Sequence, residues 1–149
     1  MSIIGRVAEV NLTTRSRSTC SVRTWPAVAA LCGWTTFLWI IRIKNAVGDD
    51  RASASGKVIA VITALAFLGA AGALASAHVR GHAGARRAAA VFALISIVYW
   101  LIRAATIVVR DHPIGFTVVH AVLALITVGL GVWVLRSAST RSVPRRTPS

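Results

Sequence analysis

Four apolar runs, each long enough to cross a lipid bilayer as a helix, restrict what this chain can fold into. A hydrocarbon core about 30 Å thick needs about 20 helical residues, which rise about 1.5 Å each. None of the runs alternates apolar and polar residues as membrane β-strands do. The sequence therefore predicts an all-α, integral membrane four-helix bundle. Its transmembrane helices are predicted over residues 25–44, 58–77, 88–109 and 114–135, within a domain of residues 25–136.

The composition agrees with a membrane protein. Only 14% of the residues are charged, against about 25% in ordinary soluble domains. The mean hydropathy of +0.71 is far from that of disordered chains. Cys20 lies in a polar segment and Cys32 in an apolar run, so we expect neither a disulfide nor a cysteine metal site.

Both ends of the chain are polar and basic. Residues 1–24 and 137–149 carry arginine among serine and threonine, so they are predicted to be disordered tails. The net charge is +13, and we expect the tails to bind anionic lipids through arginine. We expect no nucleic-acid partner, because neither tail has an aromatic residue that could stack on bases.

The basic residues also predict an orientation in the membrane. Of the Lys and Arg residues, 11 lie in the tails and the second loop, and 5 lie at the first and third loops. The positive-inside rule then places both termini in the cytoplasm, in a multi-pass protein of the inner (plasma) membrane. The run over 25–41 also fits a signal-peptide core with a cleavage site at 46–48, although Arg42 and Lys44 interrupt that pattern.

A shift of 61 residues brings two parts of the chain into register. It pairs Trp39 with Trp100, Arg42 with Arg103, Asp50 with Asp111 and, without a gap, Val58 with Val119. We predict that a two-helix hairpin is repeated in tandem, with parallel repeats about an axis along the membrane normal. Chance identities in a chain rich in Ala, Val and Ile are the alternative.

The second predicted helix carries small residues at four-residue spacing, which lets two helix backbones approach closely. The candidate helix-packing residues are Gly69, Gly72, Ala73 and Ala77. They favour a helix that is central in the bundle or lies at a seam between copies of the chain, as in a homo-oligomer. An alanine run with no special partner is the alternative.

Most of the polar residues near the membrane fall at the predicted outer end of the bundle. The candidate polar cluster is Arg42, Asn45, Asp49, Asp50, Arg103, Asp111, His112 and His120. Charges at membrane depth are costly unless they are paired or hydrated. One interpretation is that Arg42 and Arg103 each pair with an aspartate and clamp the helix ends. The other is a water-accessible pocket for a small anion, a lipid headgroup or a proton.

The sequence has no catalytic signature: a glycine-rich phosphate loop, a Ser-His-Asp order, HExxH and Cys-x-x-Cys do not occur. We therefore expect a non-enzymatic protein. Haem ligation normally needs two axial side chains in one bundle core. His120 has no obvious second ligand at its depth, because His78 and His82 belong to the other end and His112 lies at the helix boundary. We therefore expect no cofactor and no metal.

The core over residues 25–136 resembles small four-helix membrane proteins of actinobacteria in its composition and its Trp-x-x-Arg elements at 39–42 and 100–103. The resemblance implies an inner-membrane protein of a bacterium with a GC-rich genome and brings no established activity. Two functions fit the sequence. The first is an accessory or scaffold subunit that packs against itself or a larger membrane complex. The second is a transporter-like or ligand-binding bundle that uses the polar cluster.

Overall fold

The structure, a computed structural model, describes residues 3–50, 53–109 and 113–139, with side chains from residue 24 onward within these ranges. This part of the chain contains no strand and forms four helices: α1 (Ile3–Gly48), α2 (Ala54–Val79), α3 (Ala85–Val109) and α4 (Ile114–Ser139). Thr24–Gly48 of α1 and the whole of α2, α3 and α4 are long and apolar enough to cross a membrane. The prediction of an all-α four-helix bundle is confirmed, and its spans indicate a multi-pass membrane protein.

The start of α1 differs from the sequence-based expectation. The helix begins at Ile3, so residues 3–23 are helical where the sequence predicts a disordered tail. This stretch has no proline and a single glycine, Gly5, and therefore nothing in it forces the helix to stop. The apolar part of α1 begins at Thr24, beside the predicted start of the first span. The second tail was expected from residue 137, but α4 continues to Ser139; from residue 140 onward it lies outside the described residues.

Local chemistry sets the ends of the helices. Ser53 caps α2, because its Oγ accepts a hydrogen bond of 3.2 Å from the backbone N–H of Gly56. Gly81 closes the turn before α3 with φ at +66°, a conformation that glycine adopts without strain. The carbonyl of Pro113 opens α4 by accepting the N–H of Thr117 at 3.2 Å. Such short connections make consecutive helices antiparallel neighbours.

Each helix packs mainly against its partner in a hairpin. The contacts are most extensive between α3 and α4 and between α1 and α2. Helix α1 also packs along α4, whereas α2 and α3 touch over a shorter stretch. The core has one part around Leu31 and Ala93 and a smaller part around Leu38, Trp100 and Ala124. Aliphatic and aromatic side chains therefore hold the bundle together along its length.

The burial pattern supports the repeated hairpin. Helices α1 and α3 bury equivalent positions at a shift of 61 residues. The buried pairs are Thr24 and Ala85, Val28 and Ala89, Leu31 and Phe92, Cys32 and Ala93, Thr35 and Ser96, and Trp39 and Trp100. The shift that aligns the sequences of the two helices therefore also aligns most of their inward-facing positions.

The second helix of each hairpin follows a different register. Helices α2 and α4 each have 26 residues and begin at Ala54 and Ile114, a shift of 60. At that shift three buried pairs coincide: Ala64 and Ala124, Ala71 and Gly131, and Leu74 and Val134. At a shift of 61 none does, so the ungapped register through these helices is wrong. The loop over 49–53 has five residues and that over 110–113 has four, which accounts for the gap.

Candidate functional site

Two arginines at equivalent positions of the repeat mark one end of the bundle. Arg42 of α1 and Arg103 of α3 are both half-buried. The Nε atom of each is buried and has no hydrogen-bond acceptor within the described part of the chain. The side chain of Arg42 lies within electrostatic range of Arg103 and Tyr99. Two like charges therefore approach each other at the end of two membrane-spanning helices. We call Arg42 and Arg103 the arginine pair.

Aromatic rings form an apolar layer beside Arg42, one member of the arginine pair. The ring of Trp39 stacks on that of Phe67 with centroids 4.7 Å apart and lies 5.5 Å from that of Tyr99. Tyr99 in turn contacts Phe67 at 5.2 Å and Trp100 edge-on at 6.3 Å. The guanidinium carbon of Arg42 lies 5.6 Å from the centroid of Trp39, within the range of a cation–π contact. We call Trp39, Phe67, Tyr99 and Trp100 the aromatic layer.

The structure describes two of the three aspartates that the sequence predicts as partners of the arginine pair. Asp49 and Asp50 are exposed beyond the end of α1, and Asn45 is exposed on its last turn. The buried Nε atoms of Arg42 and Arg103 have no hydrogen-bond acceptor, carboxylate or other, in residues 24–50, 53–109 or 113–139. Asp111 and His112, the remaining residues predicted for the cluster at this end, lie outside the described residues. The pairing of Arg103 with Asp111 therefore stays a prediction.

His120 belongs to its own helix rather than to the arginine pair. Its Nδ1 lies 2.9 Å from the carbonyl oxygen of Phe116, a contact that requires the proton on Nδ1. Its ring centroid is 4.0 Å from the ring of Phe116. The described residues contain no group of three or more His, Cys, Asp or Glu side chains that could hold a metal ion. His120 is thus a half-buried, hydrogen-bonded side chain of α4.

The opposite end of the bundle has two matching contacts that sequence reasoning missed. Trp25 stacks on the buried ring of His78, with centroids 6.1 Å apart, and joins α1 to α2. At the equivalent place in the second hairpin, Arg86 Nη2 donates a 2.6 Å hydrogen bond to the carbonyl of Ala138. Trp25 corresponds to Arg86 at a shift of 61, and His78 to Ala138 at a shift of 60. Each pair joins the two helices of its hairpin at this end of the bundle. Their residue types share nothing, so only the structural register reveals their equivalence.

One polar contact crosses the bundle between α1 and α4. Trp34 Nε1 donates a hydrogen bond of 2.9 Å to Oγ1 of the buried Thr127. That hydroxyl donates in turn to the carbonyl of Leu123 at 2.8 Å. A buried indole N–H needs such a partner, because an unmade hydrogen bond is costly in an apolar interior. This contact ties α1 to α4 on one side of the bundle.

The predicted helix-packing residues do not face the core of the bundle. Gly69, Gly72 and Ala73 are exposed and Ala77 is half-buried, so α2 presents its small residues outward. A Cβ atom at Gly69 or Gly72 would meet nothing within 4 Å. The tightly packed glycine is Gly131, where a Cβ would lie 2.7 Å from the side chain of Ile97. Sequence reasoning missed it, because neither its spacing nor its neighbours distinguish it from other glycines.

We compared the chain with protein families, curated proteins and solved structures. No family model, no curated protein and no solved structure matches the chain. The interpretation of function therefore depends on the geometry of the described residues, above all on the arginine pair and its surroundings.

Proposed function

We propose that the chain is a multi-pass protein of a bacterial inner membrane that binds an anionic group between Arg42 and Arg103. The observation that carries this proposal is the pair of half-buried guanidinium groups whose Nε atoms have no acceptor in the described residues. A buried charge without a counter-charge is strongly unfavourable, and two like charges in one place add to the cost. An anion held between the two groups would remove both penalties.

The chemistry of the arginine pair favours an oxyanion. A guanidinium group presents its N–H donors in a planar fork that matches phosphate and carboxylate oxygens. The guanidinium carbon of Arg42 also lies 5.6 Å from the centroid of Trp39, so the ring is one of the contacts that position this side chain. The class of ligand is therefore a small oxyanion or the phosphate of a lipid headgroup, both of which present the same acceptor geometry.

The depth of the arginine pair suits a ligand that arrives from water or from the headgroup region. Arg42 and Arg103 each lie six residues before the last residue of their helix, Gly48 and Val109. Six residues correspond to about 9 Å of helix, so the site lies near the end of the span rather than at its centre. Long arginine side chains at this depth can reach toward the interface.

Phosphate-dependent stability tests the proposal. We expect inorganic phosphate at about 100 times its dissociation constant to stabilise the detergent-solubilised protein by about 2.7 kcal/mol. The Arg42→Gln and Arg103→Gln variants should lose this gain, whereas Lys44→Gln, an exposed residue two positions from Arg42, should keep it. The measurement is thermal unfolding in phosphate against chloride of equal ionic strength, repeated with added phosphatidylglycerol to separate the two sources of phosphate.

The behaviour of the variants without phosphate separates anion binding from an aspartate clamp. If the arginine pair is a site of unbalanced positive charge, removing one charge should leave stability unchanged or raise it. If an arginine is instead paired with Asp111, its replacement should lower the free energy of unfolding by about 3 kcal/mol, because the aspartate would keep an uncompensated charge. Equal phosphate effects in all three variants would contradict the proposal.

A second candidate function is an accessory or scaffold subunit that packs against itself or another membrane protein. The supporting observation is the outward-facing small residues Gly69 and Gly72 of α2, which leave room for a second helix backbone. Native mass spectrometry of the protein used in the phosphate experiment measures the stoichiometry directly. A discrete dimer or a stoichiometric partner supports this candidate, and a monomer in mild detergent argues against it.

We also propose that both termini face the cytoplasm, because 11 basic residues lie on that side and 5 on the other. The basic tails would then meet anionic lipid, and the arginine pair would lie at the outer end. A fluorescent protein that is active only in the cytoplasm should be fluorescent when fused after Ser139. Alkaline phosphatase fused at the same position should be inactive. The same pair of reporters inserted after Ser53 should give the opposite result, and an active phosphatase after Ser139 would reverse the proposed orientation.

A further inference from the structure

An apolar groove of about 610 Å³ runs between α2 and α3. These two helices contact each other less than α1 contacts α2 or α4, and less than α3 contacts α4. It extends from the α2/α3 turn toward the middle of the bundle. The helices contribute small residues on one wall and larger apolar residues on the other. The wall of α2 is Ala70, Ala73, Leu74 and Ala77, and the other wall runs from Gly84, in the turn before α3, and Arg87 to Phe92 and Ile95 of α3. The groove thus has apolar walls with one cationic side chain, Arg87.

The internal repeat explains why this side of the bundle has a groove. By the registers of 60 and 61, Ala70 and Ala73 of α2 correspond to Leu130 and Trp133 of α4. Likewise Ile95 of α3 corresponds to Trp34 of α1, the side chain that bonds Thr127. Large side chains therefore stand on the α1/α4 side where the α2/α3 side has alanine and isoleucine. The α2/α3 interface, which lies between the two hairpins, is therefore less filled than the equivalent α1/α4 interface.

The length and position of the groove match one leaflet of a bilayer. From Gly84 to Ile95 the wall of α3 covers 11 helical steps, or about 16 Å. That is about half of a hydrocarbon core of 30 Å, so the groove reaches from the membrane surface to the middle of the bilayer. That extent matches a single acyl chain, which spans one leaflet.

The charge at the surface end of the groove complements an anionic headgroup. No carboxylate occurs between Asp50 and Asp111, so the α2/α3 turn and both walls carry only positive charge. Arg86 is engaged with the carbonyl of Ala138, whereas Arg87 is exposed at the end of the groove. An arginine beside an apolar channel at headgroup depth is suited to a phosphate whose acyl chain enters the channel.

We propose that this groove is a binding site for an anionic phospholipid, with an acyl chain along Ala70, Ala73 and Ile95 and the phosphate at Arg87. The site is separate from the arginine pair, which lies at the other end of α3. It would hold a lipid of the leaflet that contains the α2/α3 turn, the cytoplasmic leaflet in the orientation proposed above. The two proposals therefore fail or hold independently.

Native mass spectrometry of the full chain in mild detergent, titrated with phosphatidylglycerol or phosphatidylcholine, tests this site. The unaltered protein should retain one phosphatidylglycerol in preference to phosphatidylcholine. Arg87→Gln should reduce that preference about fivefold, the effect of one basic residue near a membrane surface. Arg87→Lys should retain most of it, and the matched control Arg80→Gln, in the same turn but outside the groove, should retain all of it.

A second variant tests the groove without altering charge. Ala70→Leu combined with Ala73→Trp introduces the residues of the other repeat and should abolish retention of the bound phosphatidylglycerol. Thermal unfolding of the same variant confirms that it is folded, and these exposed positions leave the core intact. Unchanged lipid retention in both Arg87→Gln and the filled variant would overturn the proposal. Loss of a dimer rather than of lipid in the filled variant would overturn it in favour of a second copy.

Discussion

Replacing Trp39 by alanine is expected to lower the free energy of unfolding by about 3–5 kcal/mol, the usual cost of removing a large buried aromatic side chain. Trp39 is only 2% exposed, and its ring packs on Phe67 and Tyr99. A cavity would open beneath Arg42, whose guanidinium group lies over the same ring. The measurement is unfolding in mixed micelles by titration with a denaturing detergent, followed by circular dichroism.

Trp133 provides the matched control. It is 47% exposed on α4, where lipid rather than protein covers much of its ring. Trp133→Ala should therefore cost about 1 kcal/mol or less, as surface substitutions usually do. Trp100, at the equivalent position of the second hairpin, is 5% exposed, so Trp100→Ala should be as destabilising as Trp39→Ala. Similar losses for Trp39 and Trp133 would contradict the assignment of Trp39 to the core.

The bundle itself follows from the sequence, because crossing a bilayer needs long uncharged helices and the chain has four of them. The predicted end of the third helix at residue 109 coincides with that of α3, and the predicted start of the fourth at 114 with that of α4. Loop residues such as Pro113 make these ends visible in the sequence. The N-terminal extension of α1 was not predictable from hydropathy, since polar residues that form helix carry no apolar signal.

The candidate site was predictable in part. The Trp-x-x-Arg repeat identifies Arg42 and Arg103 as equivalent, and the structure places both at the same end of the bundle. Sequence separation does not indicate what an arginine contacts, so the position of Arg42 over Trp39 emerges only from the folded chain. Spacing along a helix likewise assigned importance to Gly69 and Gly72, which face outward. A glycine is needed only where a neighbouring helix comes close to the backbone, and in α4 this is at Gly131, which faces Ile97 of α3.

The helices of the two hairpins pack through different pairs of residues at equivalent positions. In the second hairpin a buried glycine, Gly131, faces the bulky side chain of Ile97. The equivalent residues of the first hairpin, by the registers of 60 and 61, are Ala71 and Thr36. A Cβ atom on α2 is thus accompanied by a smaller side chain on α1. Gly131 is required because Ile97 occupies the space that a Cβ would need.

Gly131→Leu is therefore expected to destabilise the protein by about 3 kcal/mol, the upper part of the usual range for overpacking a core. Its Cβ would lie 2.7 Å from Cγ1 of Ile97 and 3.4 Å from the carbonyl oxygen of Ala93, which the backbone of α3 holds in place. Gly129→Leu is the control, because a Cβ there meets nothing within 4 Å and the helix loses a flexible residue. It should be neutral or stabilising by up to about 1 kcal/mol.

The pair of Gly131 and Ile97 can be separated from general effects on α4 by a double-mutant cycle. Gly131→Ala alone should cost about 1 kcal/mol, because Cγ1 and Cδ1 of Ile97 must both move away from the new Cβ. Ile97→Ala alone should be destabilising through lost packing, and it should cost less in the Gly131→Ala background, where the new Cβ fills part of the space. Unfolding in mixed micelles measures all four members of the cycle. Strict additivity, or equal losses for leucine at 129 and 131, would show that the α3/α4 contact does not depend on the missing side chain of Gly131.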